Sequence, residues 1–320
     1  MRRRAFMAGL LAASAPRMAR GQEQPRIAIL HSGFPNRTPI HLLFEALGRL
    51  GYEHGRTATI DLHGGEGNPD RLRAIVAQLA AQKPHVVIAI TAPAAVALKR
   101  PELSIPVVFA VVLDPVGLGL VESLARPAGN FTGTTYSDAD LGGKRLEFLI
   151  DALPETRRVA VLWGSGVQQN AALLESIRNS ASTRAIAIFA RELRDLEDLA
   201  PAFEAAAQAG AQAVVFLSDN LMFGHRKQVS ELALAHRLPS MHAFAAEVED
   251  GGLMFYGPSL AESYRRAAAL ADRILKGARP GELPVEQPTK FELIINLKTA
   301  KALGLAIPES FLLRADEVIE

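Results

Sequence analysis

The chain has 320 residues, 49% hydrophobic and 22% charged, which is room for two domains of ordinary globular composition. Its 35 basic and 34 acidic residues leave a net charge of +1 with no block of about five like charges, so it lacks the clustered Lys and Arg that a nucleic-acid surface needs. The absence of cysteine excludes thiol catalysis, iron–sulfur ligation and disulfide scaffolding, and no apolar run reaches the about 18 residues that span a bilayer.

Residues 1–21 read as an export signal. Arg2, Arg3 and Arg4 precede an apolar centre from Ala5 to Ala15, and Ala19 and Gly21 supply small residues before a cleavage point. The pair Arg3-Arg4 with Phe6 and Met7 behind it also suits the twin-arginine route. Cleavage removes five arginines and no acid, leaving a net charge of −4 and a soluble protein expected in a periplasm.

From Arg26 onward, short β-rich runs alternate with helical stretches. Ile27–Leu30 predicts a strand ending in the turn His31-Ser-Gly33; residues 40–50 predict a helix stopped by Gly51. Strand 57–62, a helix from Asn68 or Asp70 to Gln82, strand 85–90, helix 92–99 and strand 106–112 follow, the last closed by Asp114-Pro115. Continuous Val and Ile runs between helices indicate parallel strands buried on both faces. The pattern restarts with helix 143–152, strand 158–163, helix 170–183, strand 185–189, helix 196–208, strand 213–217, helix 222–236 and strand 239–242. After it come strand-like 252–256, helix 260–276, strand 291–295 and helix 296–303.

Two αβ series of similar size, joined near Thr132-Gly-Thr134, predict an α/β fold of two Rossmann-like, doubly wound lobes joined by a hinge of three chain crossings. The expected division is 26–132 plus 257–290 for the N-terminal lobe and 133–256 plus 291–320 for the C-terminal lobe. A single extended sheet with decorations is the competing architecture.

Catalytic signatures are missing. There is no G-x-x-x-x-G-K-[ST]; Gly117-Leu-Gly119 is half of a dinucleotide fingerprint; Ser165 within Gly164-Ser-Gly166 lacks the spacing of a nucleophile elbow. Eight histidines form no H-x-x-x-H pair, although His31 and His242, both at strand ends, could approach one another; capping or surface roles compete with a metal site there. The expectation is no enzyme, no cofactor and no metal.

Ligands of open α/β sheets bind at the carboxyl ends of the strands, where loops diverge and helix N-termini present amides. The first series offers Ser32, Gly33 and Phe34, then Thr91, Ala92 and Pro93, then Asp114. The second offers Trp163 and Ser165, Gln168 to Asn170, and Asp219 with Asn220. Thr91 heads a helix and can hold a carboxylate or simply cap it. Asp114 and Asp219 are the acids placed to take an ammonium group, with helix capping as their bland reading. Phe34, Trp163, Phe223 and Tyr256 supply apolar walls, though a core role for the single Trp competes. With Arg37 the lone cation in these turns, the cleft suits a small zwitterion or neutral organic molecule.

Longer motifs carry a resemblance. Asp114-Pro-Val-Gly117, Ser123-Leu-Ala-Arg-Pro-Ala-Gly-Asn-Phe-Thr-Gly133, Gly143-Lys-Arg-Leu-Glu147, Gly251-Gly-Leu-Met-Phe-Tyr-Gly257, Leu283-Pro-Val-Glu-Gln-Pro-Thr-Lys-Phe-Glu292 and Ile295-Asn-Leu-Lys-Thr-Ala-Lys-Ala-Leu-Gly304 resemble the ABC-transporter substrate-binding family that includes tryptophan- and tyrosine-binding proteins. The resemblance covers nearly all of residues 26–320. It implies a type I periplasmic-binding fold, a small-molecule ligand trapped by lobe closure, and delivery to a membrane permease. With no cysteine for lipid attachment the expectation is a freely diffusing protein, expected as a monomer, and the charge balance argues against nucleic acid as a partner. Departures at Trp163-Gly-Ser-Gly166 and Ile90-Thr-Ala-Pro93 fall in the cleft turns and leave the ligand open. A periplasmic sensor subunit and a Rossmann-type enzyme are the alternative functions.

Overall fold

The computed structural model describes residues 24–136, 141–165 and 170–320; the predicted leader, Gln168 and the side chains of Arg37 and Asn220 lie outside the described set. The first lobe begins with β1 (Arg26–His31), α1 (His41–Arg49), β2 (Thr59–Gly64), α2 (Pro69–Gln82), β3 (Val86–Ile90), α3 (Ala92–Leu98), β4 (Val107–Val112) and β5 (Phe131–Thr135). The second continues with α4 (Leu141–Ala152), β6 (Arg158–Gly164), α5 (Asn170–Thr183), β7 (Ala187–Leu193), α6 (Leu199–Gln208), β8 (Ala213–Phe216), α7 (Asn220–Gly224), α8 (Arg226–Ala235), β9 (Ser240–His242), α9 (Ala245–Glu249) and β10 (Met254–Pro258). Then come α10 (Leu260–Leu275), β11 (Phe291–Asn296), α11 (Leu297–Leu303), α12 (Glu309–Leu312) and β12 (Glu317–Ile319).

Five parallel strands in the order β2-β1-β3-β4-β5 form the first sheet. Alternation along β1 sends Ile27 and Ile29 toward a layer made by α1 and α10, and Ala28 and Leu30 toward α2 and α3. Each face is thereby sealed by helices, which is why β3 reads as an unbroken apolar run. The second sheet has seven strands, ordered β12-β11-β10-β9-β8-β6-β7. β6 to β10 are mutually parallel, and β11 runs antiparallel to β10 with β12 parallel to it.

The chain passes between the sheets three times: after Tyr136, at Pro258-Ser259, and along the approach to β11, while α10 packs on β3, β4 and β5. The passages are tied side by side. The Tyr136 hydroxyl donates to Pro258 O at 3.1 Å, the Thr135 amide donates to Glu286 O at 2.9 Å, and the Ser259 amide donates to Lys290 O at 3.1 Å. Beneath them the fully buried Arg145 donates from Nε to Tyr256 O at 2.8 Å and from Nη2 to Ala243 O at 3.2 Å; burial pushes its pKa down to about 10.

Two sequence expectations change. Residues 131–135, read as the joint between lobes, form edge strand β5, whose backbone pairs with β4 while Thr132, Thr134 and Thr135 are buried. The helix expected over 222–236 divides into α7 and α8 at His225, whose φ of −119° leaves the helical region.

Candidate ligand-binding site

In the first lobe, the carboxyl ends of β1 and β3 are joined by side chains. Ser32 Oγ and Thr91 Oγ1 are 2.7 Å apart. Thr91 has φ +80° and ψ 156°, a backbone region that suits glycine and strains a β-branched residue. Next to this pair, His31 Nδ1 accepts the Gly33 amide at 2.9 Å, and burial lowers the His31 pKa to about 4, so the ring is neutral at pH 7. The loop after β2 folds onto the same turn, its Gly67 amide donating to Ser32 O at 2.9 Å. A Cβ at Gly65 would stand 2.7 Å from that carbonyl oxygen, so this close approach requires glycine.

These turns open into a cavity of about 710 Å³, large enough to enclose a small organic molecule. It is lined by His31, Ser32, Gly33, Phe34 and Thr38 after β1, and by Leu72 of α2 with Pro93, Val96 and Ala97 of α3. The second lobe contributes Phe223, Gly224 and His225, from the end of α7. Among the described residues the lining holds no carboxylate; its one formal charge, Arg73, is paired with Asp70. Apolar walls capped at one end by hydroxyls and amides fit a molecule with a polar head and an apolar body.

Phe223 is backed by an aromatic series. It meets Phe244 edge-on at 5.1 Å, and Phe244 stacks on Tyr136 at 5.6 Å, which places the cavity wall in contact with the first passage between lobes. The Arg226 guanidinium lies 5.1 Å from the Phe223 ring and pairs with Asp250 at 2.6 Å.

The sequence-predicted residues are distributed unevenly around this cavity. Ser32, Gly33, Phe34 and Pro93 line it; Thr91 is bonded to Ser32, and Ala92 turns into the first-lobe core. Asp114 does not line it: its Oδ1 accepts the Gly117 amide at 2.8 Å and closes a turn. Asp219 is 8% exposed with both oxygens occupied, Oδ2 by the Gly164 amide at 2.8 Å and Oδ1 by the Met222 amide at 2.7 Å. That engagement, rather than an ammonium, satisfies the carboxylate. Asn220 opens α7.

The remaining second-lobe candidates stand apart from the cavity lining. Trp163 packs half-buried on the second-lobe core, and Ser165 is exposed with its amide donating to Leu193 O at 2.7 Å. Tyr256 packs between Phe148 at 4.3 Å and Phe291 at 6.0 Å. Asn170 is 1% exposed at the head of α5, and neither of its amide atoms has a hydrogen-bond partner among the described residues. His242 lies buried with Nε2 at 2.9 Å from Ser240 Oγ, away from His31, and no group of three metal ligands occurs among the described residues.

Sequence reading missed Leu72, Val96, Ala97, Asn68 and His225. The Asn68-Pro69 helix start was legible, and its position after β2 places the first turn of α2 on the same crevice; the inward facing of α3 had no local signal.

Comparison with known proteins supplies the context. A family model described as ABC transporter substrate binding protein matches residues 39–319. A tyrosine-binding protein of Clostridioides difficile is 26% identical over 263 residues, 82% of this chain and 75% of that protein. The solved structure of a conserved domain protein from Vibrio cholerae superposes with a TM-score of 0.84 at 27% identity, covering 92% of this chain and 100% of that one. An ABC domain from Streptococcus pneumoniae in complex with L-Trp superposes with a TM-score of 0.83 at 24% identity over 92% of this chain and 100% of its own.

Proposed function

The chain belongs to the ABC transporter substrate-binding protein family, and from that premise we propose that it is the periplasmic solute-binding component of an import system, trapping a small organic molecule of the amino-acid or aromatic-acid class between its lobes. Its family members bind substrates rather than transform them, so the chain is a binding protein and not an enzyme. The observation that carries the proposal is the cavity itself, which draws its walls from the strand ends of the first lobe and from α7 of the second.

In this reading the polar end of the solute meets the Ser32 and Thr91 hydroxyls, and its apolar part lies against Leu72, Val96 and Ala97. Approach of the lobes brings Phe223 and His225 over it, and the joined surface is what a membrane permease recognises. Lobe closure about the three passages converts solute contacts into a change of shape, because the solute favours the state in which both walls touch it. The reading of residues 1–21 as an export signal supports a periplasmic location, and no helix among the described residues is long and apolar enough to cross a membrane.

Calorimetric titration of the ligand-stripped protein against the common amino acids, aromatic acids and short organic acids tests this. Saturable binding of one class at micromolar affinity or better supports it. Turnover of a bound compound, or stabilisation only by sugar phosphates or metal ions, overturns it.

A further inference from the structure

α7 is five residues long, too short to hold a fixed position by its own hydrogen bonds, yet it carries the whole second-lobe wall of the cavity. Met222 seats it in the second-lobe core, and the polar tie comes from Asp219. The residue is the N-cap of α7 with extended backbone (φ −154°, ψ 163°), and its two carboxylate oxygens divide their work. Oδ1 accepts the Met222 amide of α7 at 2.7 Å, while Oδ2 accepts the Gly164 amide at the end of β6 at 2.8 Å. One side chain thus bolts the helix to the sheet. The fit is close: a Cβ at Gly164 would stand 2.8 Å from Oδ1 of Asp219.

We propose that Asp219 is the positioning residue of the second-lobe wall, holding α7 against β6 through its ionised carboxylate so that Phe223 and His225 face the bound solute. The proposal rests on reading the cavity as the solute site, but its core, the pinning of α7, stands without any solute. Protonation removes the negative charge that strengthens both bonds and makes the oxygen that takes the proton a poorer acceptor, so both bolts weaken.

Burial raises the Asp219 pKa from 3.8 to about 6, the amides of Gly164, Met222 and Leu221 opposing the shift and the charge of Glu247 adding to it. The charged and titratable groups around it are few. Glu247 of α9 has its carboxylate on the Ala243 and Phe244 amides, and His242 Nδ1 stands 3.7 Å from it. His225, ending α7, lies with Nδ1 3.0 Å from Leu221 O, and Arg226, opening α8, pairs with Asp250 at 2.6 Å. The wall therefore loosens as pH falls through about 6, whereas fold stability moves the other way. An acid whose pKa is raised on folding contributes stability that is fully present below the unfolded value of 3.8 and is lost as pH rises through about 6. His31, with its pKa lowered to about 4, opposes this in the same interval, so the comparison is made as wild type minus Asp219→Asn, in which His31 cancels.

The single tryptophan, Trp163, precedes Gly164 and reports on the bolt directly. With the full-length chain and no solute, Trp163 emission and amide exchange at Gly164 and Met222 are followed from pH 7.5 to 5. Expected in the wild type is an emission transition near pH 6, with intrinsic-rate-corrected exchange at both amides rising about tenfold. In Asp219→Asn the emission is flat and exchange is already fast at pH 7.5. Thermal melts should show the stability of wild type relative to the variant increasing on acidification. In a parallel arm, L-tyrosine is the probe: its affinity for the wild type falls at least fivefold over the same range and stays level in the variant. A flat wild-type emission profile, or equal exchange in both proteins, overturns the proposal. Loss of the L-tyrosine arm alone, with the solute-free transitions intact, counts against the solute reading and leaves the bolt standing. Should Asp219→Asn fold poorly, Asp219→Glu replaces it, its longer side chain expected to misplace Met222 and raise exchange there first.

Discussion

On the first-lobe side, the cavity wall is a continuation of the core. Leu72 is 8% exposed and belongs to the same cluster as β1, β3 and α3, while Ser32 and Thr91 are fixed at the ends of fully buried strands. On the second-lobe side, the wall is a five-residue helix set at the carboxyl end of β6, tied there by the Asp219 carboxylate and backed by Phe244. The first wall is preformed because the many dispersion contacts of a close-packed core would have to break to move it. The second is joined to its lobe by the buried Met222 and a few polar bonds, a smaller anchorage whose position is correspondingly cheaper to change. A molecule that must both recognise and release a solute benefits from that division.

Substitutions at four positions break or sharpen this contrast. The largest effect is expected from Val96→Asp, which places an unpaired charge against the apolar body of the solute. Val96 is 42% exposed in the solute-free chain, so folding tolerates the change, and affinity for the solute found by calorimetry should fall more than about 100-fold, roughly 3 kcal/mol. Phe223→Ala removes the second wall's aromatic face and should weaken the same binding about tenfold with little loss of melting temperature.

Thr91 separates strain from hydroxyl chemistry. Thr91→Ala loses the bond to Ser32 and keeps φ at +80°, whereas Thr91→Gly loses the same bond and removes the strain. Denaturant titration should find the glycine variant more stable than the alanine variant by about 1–2 kcal/mol. The smallest effect belongs to Asp114→Ala, which costs a turn cap of about 1 kcal/mol or less and leaves solute affinity within twofold. Strong loss of binding in that variant would show that Asp114 reaches the solute.

Much of this contrast was hidden from a reading along the chain. Ser32, Gly33, Phe34 and Pro93 were legible because they follow apolar strands directly, and in a parallel sheet such turns must converge at one edge. Asp219 was legible as an acid at a strand end, but a free carboxylate and an N-cap with two amide partners have the same sequence. Trp163 and Tyr256 were singled out as aromatic, and packing sent both toward the second-lobe core. Phe131–Thr135 looked like a joint because glycine and three threonines lack a long apolar run; pairing with β4 made it a strand.

The amino-acid order alone determined the alternation of strands and helices, the parallel sense of the buried Val and Ile runs, and the family, since these rest on local periodicity and contiguous motifs. Tertiary structure decided which strand-end turns share a cavity, which acid is consumed by backbone amides, and that helices α2 and α3 line that cavity. Those outcomes depend on side-chain directions and hydrogen-bond competition between residues as far apart as Gly164 and Asp219, and no window along the chain contains both.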